Sequence, residues 1–245
     1  MRTLSAHPCL EARPRRTLGS MNIPSPRKGV PFVPLVGLLL AAHACSPRSD
    51  GPVAVGDFVL ADDTVPRVER VRHLLQTLAA DSMEGREAGT AGELRAVRFL
   101  ESELARYGVA PAGAGGGYRQ PVVLVQPAEG DRWQRLPEGS DPDTIPGDRL
   151  RTAYNVLGVV PGTDPELAGE IVVVGAHHDH VGFGETVGGD SIYNGADDDA
   201  SGSVAVLEMA REMARAARDG AAPGRTVLAA FFTAEEMGLV GTRYW

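Results

Sequence analysis

The chain has 245 residues, with 24 Lys plus Arg against 32 Asp plus Glu and a formal net charge of −8. Six of the 24 basic residues (Arg2, Arg13, Arg15, Arg16, Arg27, Lys28) but one of the 32 acidic residues (Glu11) precede Cys45, so the rest of the chain is strongly acidic. That balance argues against nucleic acid and anionic membrane surfaces as partners, and the length suits one α/β domain with its own core plus a leader.

Residues 1–44 read as an N-terminal extension and signal peptide. Arg27-Lys28 precede an apolar stretch, Pro31 to Ala44, that is shorter than the ~20 residues a membrane span needs. Met21 is a plausible start, because the residues before it have no signal character. Ala42-His43-Ala44-Cys45 resembles a bacterial lipoprotein cleavage site, with Cys45 as the lipid-bearing residue and ordinary cleavage after Ala44 as the alternative. The expectation is an exported chain at the periplasm or cell surface, attached to membrane only through a lipid on Cys45 and otherwise secreted. The two cysteines, Cys9 and Cys45, both lie in this region, which leaves the body without an internal disulfide. Residues 45–64, containing Pro, Gly and Asp, form a tether to a domain at 65–245.

Val65 to Ala80 reads as an amphipathic helix with Val68, Val71, Leu74, Leu75 and Leu78 at helical spacing. Thr90-Ala91-Gly92-Glu93 matches a capping box and opens a second helix that stops at Gly108. Strands are expected at Pro121–Gln126, Ala153–Val160, Glu170–Gly175 and Thr226–Thr233, with a helix at Ser201–Arg218 and a polar connection over Glu129–Arg149. Strands apolar on both faces and separated by helices imply an α/β sheet covered on both sides, with a site beyond the strands' carboxyl ends.

Three clusters occupy such positions. His177-x-Asp179 offers an imidazole ligand with an acceptor near its other nitrogen. Asp197-Asp198-Asp199 places three carboxylates side by side; a helix cap explains Asp199, whereas Asp197 fits a carboxylate bridging two metal ions. Glu235-Glu236 follows an apolar strand, so one carboxylate can bind metal while its neighbour moves protons.

With Glu84-Gly85-Arg86-x-x-Gly89-Thr90 and Tyr154-Asn155-Val156-x-Gly158 upstream, these clusters resemble the di-zinc aminopeptidase family. That family includes bacterial leucyl aminopeptidases and has glutaminyl cyclases and transferrin-receptor-like proteins as relatives. The resemblance spans roughly Val68 to Trp245. It implies a mixed, mostly parallel sheet sandwiched by helices, two zinc ions, a peptide substrate and a Glu general base. By the same resemblance His177, Asp197 and Glu236 are the metal ligands, Asp197 bridging, and Glu235 is the catalytic base. Asp179 supports His177, and Asp198 follows Asp197 across a cis peptide.

The family takes a further Asp and His from segments after the Glu-Glu strand, and no Asp or His follows Asp219 here. The expectation is therefore an incomplete fold, truncated at the C-terminus, that binds zinc weakly and is inactive by itself. A non-catalytic binding module of the same fold and a glutaminyl-cyclase-like acyltransferase are the alternatives. Substrate side-chain specificity is not readable from the residues present.

Overall fold

The computed structural model describes residues 67–130 and 132–245. The signal and tether readings, including Cys45, lie outside those residues. Four helices and eight strands follow: α1 (Arg67–Leu78), α2 (Ala91–Tyr107), β1 (Ala110–Pro111), β2 (Arg119–Val125), β3 (Gln134–Arg135), β4 (Leu150–Val160), β5 (Ile171–His177), β6 (Phe183–Val187), β7 (Asp190–Ile192), α3 (Ser201–Arg218), β8 (Thr226–Phe232) and α4 (Val240–Tyr244). Among the described residues no helix is long and apolar enough to cross a membrane.

The sheet is ordered β3-β2-β4-β8-β5, with β1 also on β4. It is mixed, as expected, but β5–β8 is the one parallel pair in it; β1–β4, β2–β3, β2–β4 and β4–β8 are antiparallel. The chain reverses direction over residues 126–149 between β2 and β4, and β8 runs opposite to β4, so both of these neighbours of β4 are antiparallel. A separate hairpin joins β6 to β7.

Side chains alternate across β4 and β8. Val156, Val160, Ala229 and Phe231 meet α1, α2 and α3 in the main core, while Leu157, Leu228 and Ala230 pack on the opposite face. That second face is covered toward β2 by α4 and Trp133, around Val122, Leu124 and Ala153. β4 and β8 are thus buried on both sides, as their unbroken apolar runs imply. β5 is different: Ile171, Val172 and Val173 are exposed, because β5 pairs with β8 alone among the described residues.

The helix signals have local causes. Gly108 takes a left-handed φ of 76° at the end of α2, which a side chain would oppose. Thr90 accepts the Glu93 N–H at its start, but the Glu93 carboxylate turns to Gly89 N–H at 2.7 Å instead of closing the box on Thr90. On α1 the expected stripe is shifted: Leu74 and Leu78 are buried while Val68 is exposed, and Arg70 takes an inward position. Its guanidinium grips Glu208 of α3 with two bonds, at 2.7 and 2.6 Å.

Both partners of that ion pair are almost fully buried. Arg70→Leu leaves the buried Glu208 carboxylate with Arg67, 3.6 Å away, as a remaining cation and is expected to cost about 3 kcal/mol in urea unfolding. Arg70→Leu with Glu208→Leu should recover most of the loss. A double variant no more stable than the single one would contradict this account.

Candidate metal centre

The parallel β5–β8 register sets His177 opposite Phe232, so both strands end at the same level. The chain leaving β8 therefore enters the turn Thr233-Ala234-Glu235-Glu236 beside His177. Ala234 has a φ of 52° in this turn. Gly241 closes it through a bond from its N–H to the Thr233 carbonyl; a Cβ there would lie 2.3 Å from that carbonyl oxygen, so only glycine fits.

The third cluster arrives from the opposite side, just before α3. Asp199 is used locally: one oxygen accepts Gly202 N–H at 2.9 Å at the start of α3, and the other accepts His177 N–H at 3.3 Å. Ser203 adds a hydroxyl bond to the His177 carbonyl at 2.9 Å. α3 is in this way tied to the end of β5.

His177, Asp198 and Glu236 each offer one ligand atom, and these atoms lie within 4.8 Å of one another. His177 Nε2 is 3.0 Å from Asp198 Oδ1 and 3.9 Å from Glu235 Oε2. On the other side of the ring, His177 Nδ1 is 3.2 Å from the Asp179 carbonyl and 3.7 Å from its carboxylate. Asp179 is fully buried, and its two oxygens also take the N–H groups of Glu235, at 3.1 Å, and Glu236, at 3.4 Å. One carboxylate thus serves two of the three segments.

Asp197 is not in this group. It is exposed, and its carbonyl receives the Ser201 hydroxyl at 3.0 Å. The cis peptide joins Asp198 to Asp199, one position later than the resemblance implied. Asp198 (φ −110°, ψ 101°) and Asp199 (φ −127°, ψ 45°) are non-helical, so adjacent side chains point apart: Asp198 meets the His177 ring and Asp199 its backbone N–H. Sequence spacing could not choose among three identical neighbours.

Three further groups escaped the sequence reading. His180 Nδ1 lies 2.7 Å from Glu236 Oε1, as the third histidine of its cluster. His178 is fully buried, 3.5 Å from Glu93, and neither ring nitrogen has a hydrogen-bond partner among the described residues. Arg86, in a motif noted above for the resemblance alone, is fully buried behind the acids. Burial lowers its pKa, while Asp179, Asp199, Asp198 and Glu236 act against that shift.

One imidazole and two carboxylates form a donor set that zinc accepts, and their convergence fits a bound divalent ion. Beside them a cavity of about 350 Å³ is lined by Arg132, Trp133, Glu235, Glu236, Met237 and Gly238. Trp133 is held there by the Arg151 guanidinium, 4.3 Å from its ring centre.

Comparison with known proteins places these residues in context. A family model described as Peptidase family M28 matches residues 155–245. A probable glutamate carboxypeptidase of Arthroderma benhamiae is 32% identical over 98 residues, covering 40% of this chain and 12% of the relative. Leupeptin-inactivating enzyme 1 of Streptomyces exfoliatus is 35% identical over 94 residues, covering 38% and 18% respectively. The matched stretches thus span less than a fifth of these relatives' length. Among solved structures, a Zn-dependent exopeptidase from Parabacteroides distasonis is similar at a TM-score of 0.49 and 23% identity, over 71% of this chain and 53% of that one. The Tannerella forsythia glutaminyl cyclase is similar at 0.48 and 21%, over 71% and 54%.

In the metal-free chain burial pulls the His177 pKa down, but the Asp179 side chain, reinforced by Asp199, outweighs it and raises the value to about 9. The sign follows: with a folded pKa above the ordinary 6.5, His177 stabilises the metal-free fold fully below about pH 6.5, and this is lost as pH rises through about 9. An NMR titration of the His177 ring should show that midpoint, and Asp179→Asn should lower it. A midpoint near 6.5 in the unsubstituted chain would contradict the geometry.

Proposed function

Since residues 155–245 match the model of peptidase family M28, we propose that this chain contributes the core of a zinc-dependent peptidase centre, of aminopeptidase type. The observation that carries the reading is the convergence of His177, Asp198 and Glu236 beside Glu235. In this reading those three residues would hold metal. The metal supplies a Lewis acid that polarises the scissile carbonyl and makes water nucleophilic near neutral pH.

The remaining work falls to the chain's own residues. Glu235 takes a proton from the attacking water as its oxygen bonds to the carbonyl carbon. As the C–N bond breaks, Glu235 returns that proton to the leaving nitrogen. Asp179 holds the His177 ring and the two Glu backbone N–H groups in one arrangement, so the base and the ligands keep a fixed relation. The cavity lined by Trp133 and Met237 gives part of the peptide a place next to Glu235.

Export is part of the same proposal. The basic segment and apolar stretch before Cys45 support it, with Cys45 as the candidate lipid attachment. Palmitate labelling of cells that is lost with Cys45→Ser would support lipidation; a soluble, unlabelled product cleaved after Ala44 would favour simple secretion.

The central test compares adjacent acids. By isothermal titration, His177→Ala, Asp198→Asn and Glu236→Gln should each weaken zinc binding at least about tenfold, while Asp197→Asn changes it about twofold or less. Equal losses at 197 and 198, or a greater loss at 197, would contradict the assignment. Glu235→Gln should leave zinc affinity unchanged and, where the unsubstituted chain turns over aminoacyl anilides, lower kcat at least about 100-fold. Retained turnover would remove Glu235 as the base.

A further inference from the structure

The segments carrying the ligands are irregular, and a few buried bonds hold them together. Arg86 donates to four carbonyls: Nε to His178 at 2.7 Å, Nη1 to Leu78 and Asn194 at 2.6 Å each, and Nη2 to Gly195 at 2.9 Å. His178 follows His177, and Asn194-Gly195 lead into Asp198. One guanidinium therefore spans two of the three ligand segments and anchors both to the end of α1.

The Arg86 backbone joins in. Its carbonyl accepts His180 N–H at 3.2 Å, and the Gly85 carbonyl accepts Gly182 N–H at 3.0 Å. Glu84 and Arg86 both have a φ of 50°, and a Cβ on Gly85 would lie 2.4 Å from the Gly182 carbonyl oxygen. The turn is therefore pressed against the loop that follows β5.

Glu93 acts on the third segment. It is buried at the start of α2, bonds Gly89 N–H at 2.7 Å, and accepts the hydroxyl of Thr233, which leads into Glu235-Glu236. The same oxygen lies 3.5 Å from His178 Nε2.

We propose that Arg86 and Glu93 are positioning residues that fix the spacing of the His177, Asp198 and Glu236 segments before any ion arrives. This rests on the metal reading above. A guanidinium presents five N–H donors in a rigid fork, so it can hold several carbonyls at fixed mutual angles, which a single ammonium cannot reproduce. Without these bonds the ion itself must order the loops, and that ordering cost subtracts from its binding.

The test titrates Zn²⁺ by calorimetry and Co²⁺ by its visible absorption into the full chain and into Arg86→Ala, Arg86→Lys and Glu93→Gln. Circular dichroism and metal-free melting check folding. Arg86→Ala should bind zinc at least about tenfold more weakly, with a changed cobalt spectrum, and millimolar methylguanidinium should restore part of both. Arg86→Lys and Glu93→Gln should show the same changes to a smaller degree at nearly unchanged melting temperature.

If Arg86→Ala does not fold, the other two variants decide the matter. Folded variants with the unsubstituted affinity and spectrum overturn the proposal. Failure of all three to fold, without rescue by methylguanidinium, assigns these residues to stability alone and also overturns it. An unsubstituted chain that binds neither ion overturns the metal reading, and this proposal with it.

Discussion

The parallel pairing of β5 with β8 is the constraint on which the centre depends. It carries His177 and the Glu235-Glu236 turn to one edge, although 55 positions, α3 among them, separate His177 from its pairing partner Phe232. A one-residue slip would turn His177 to the opposite face. β8 cannot slip easily, because β4 fixes it from the other side through Val156 opposite Phe231. β5 is held more lightly: Val174 and Ala176 pack on the main core, and Gly175 lies under the Phe232 ring, where a Cβ would come within 2.8 Å. Packing on one face and a missing side chain on the other thus set the height of the ligand.

Charge is the second constraint. Asp179, Asp198, Asp199, Glu235 and Glu236 gather within a small volume, and mutual repulsion would spread them without compensation. Backbone N–H groups satisfy Asp179 and Asp199, and the histidines face Asp198 and Glu236. Arg86 supplies positive charge from behind, bonded to neutral carbonyls and to none of the acids. Asp198 and Glu236 open toward solvent at the exposed front, with no guanidinium bonded to them among the described residues.

The sequence was most legible where local chemistry acts alone. The Ser201–Arg218 helix, the Gly108 stop and the apolar runs of β4 and β8 all follow from propensity, capping and pattern. It was less legible where tertiary packing decides. Ile171 to Val173 looks as apolar as Val227 to Ala230, yet among the described residues the first pairs on one side and the second on both. Arg70 occupies an inward position on α1 because Glu208 waits across the helix interface. At the centre, the residue types were readable and the choice among three consecutive aspartates was not, since that depends on dihedral angles at Asp198 and Asp199. Arg86 stood in the sequence only as part of a motif; its burial and its four carbonyl partners come from tertiary packing.

Anomalous diffraction at the zinc edge, from crystals of the chain soaked with zinc, is the most direct measurement of the central claim. The account predicts a peak within about 2.0–2.2 Å of His177 Nε2 and of carboxylate oxygens of Asp198 and Glu236. A peak coordinated by Asp197 in place of Asp198, or no zinc at the ends of β5 and β8, would contradict it.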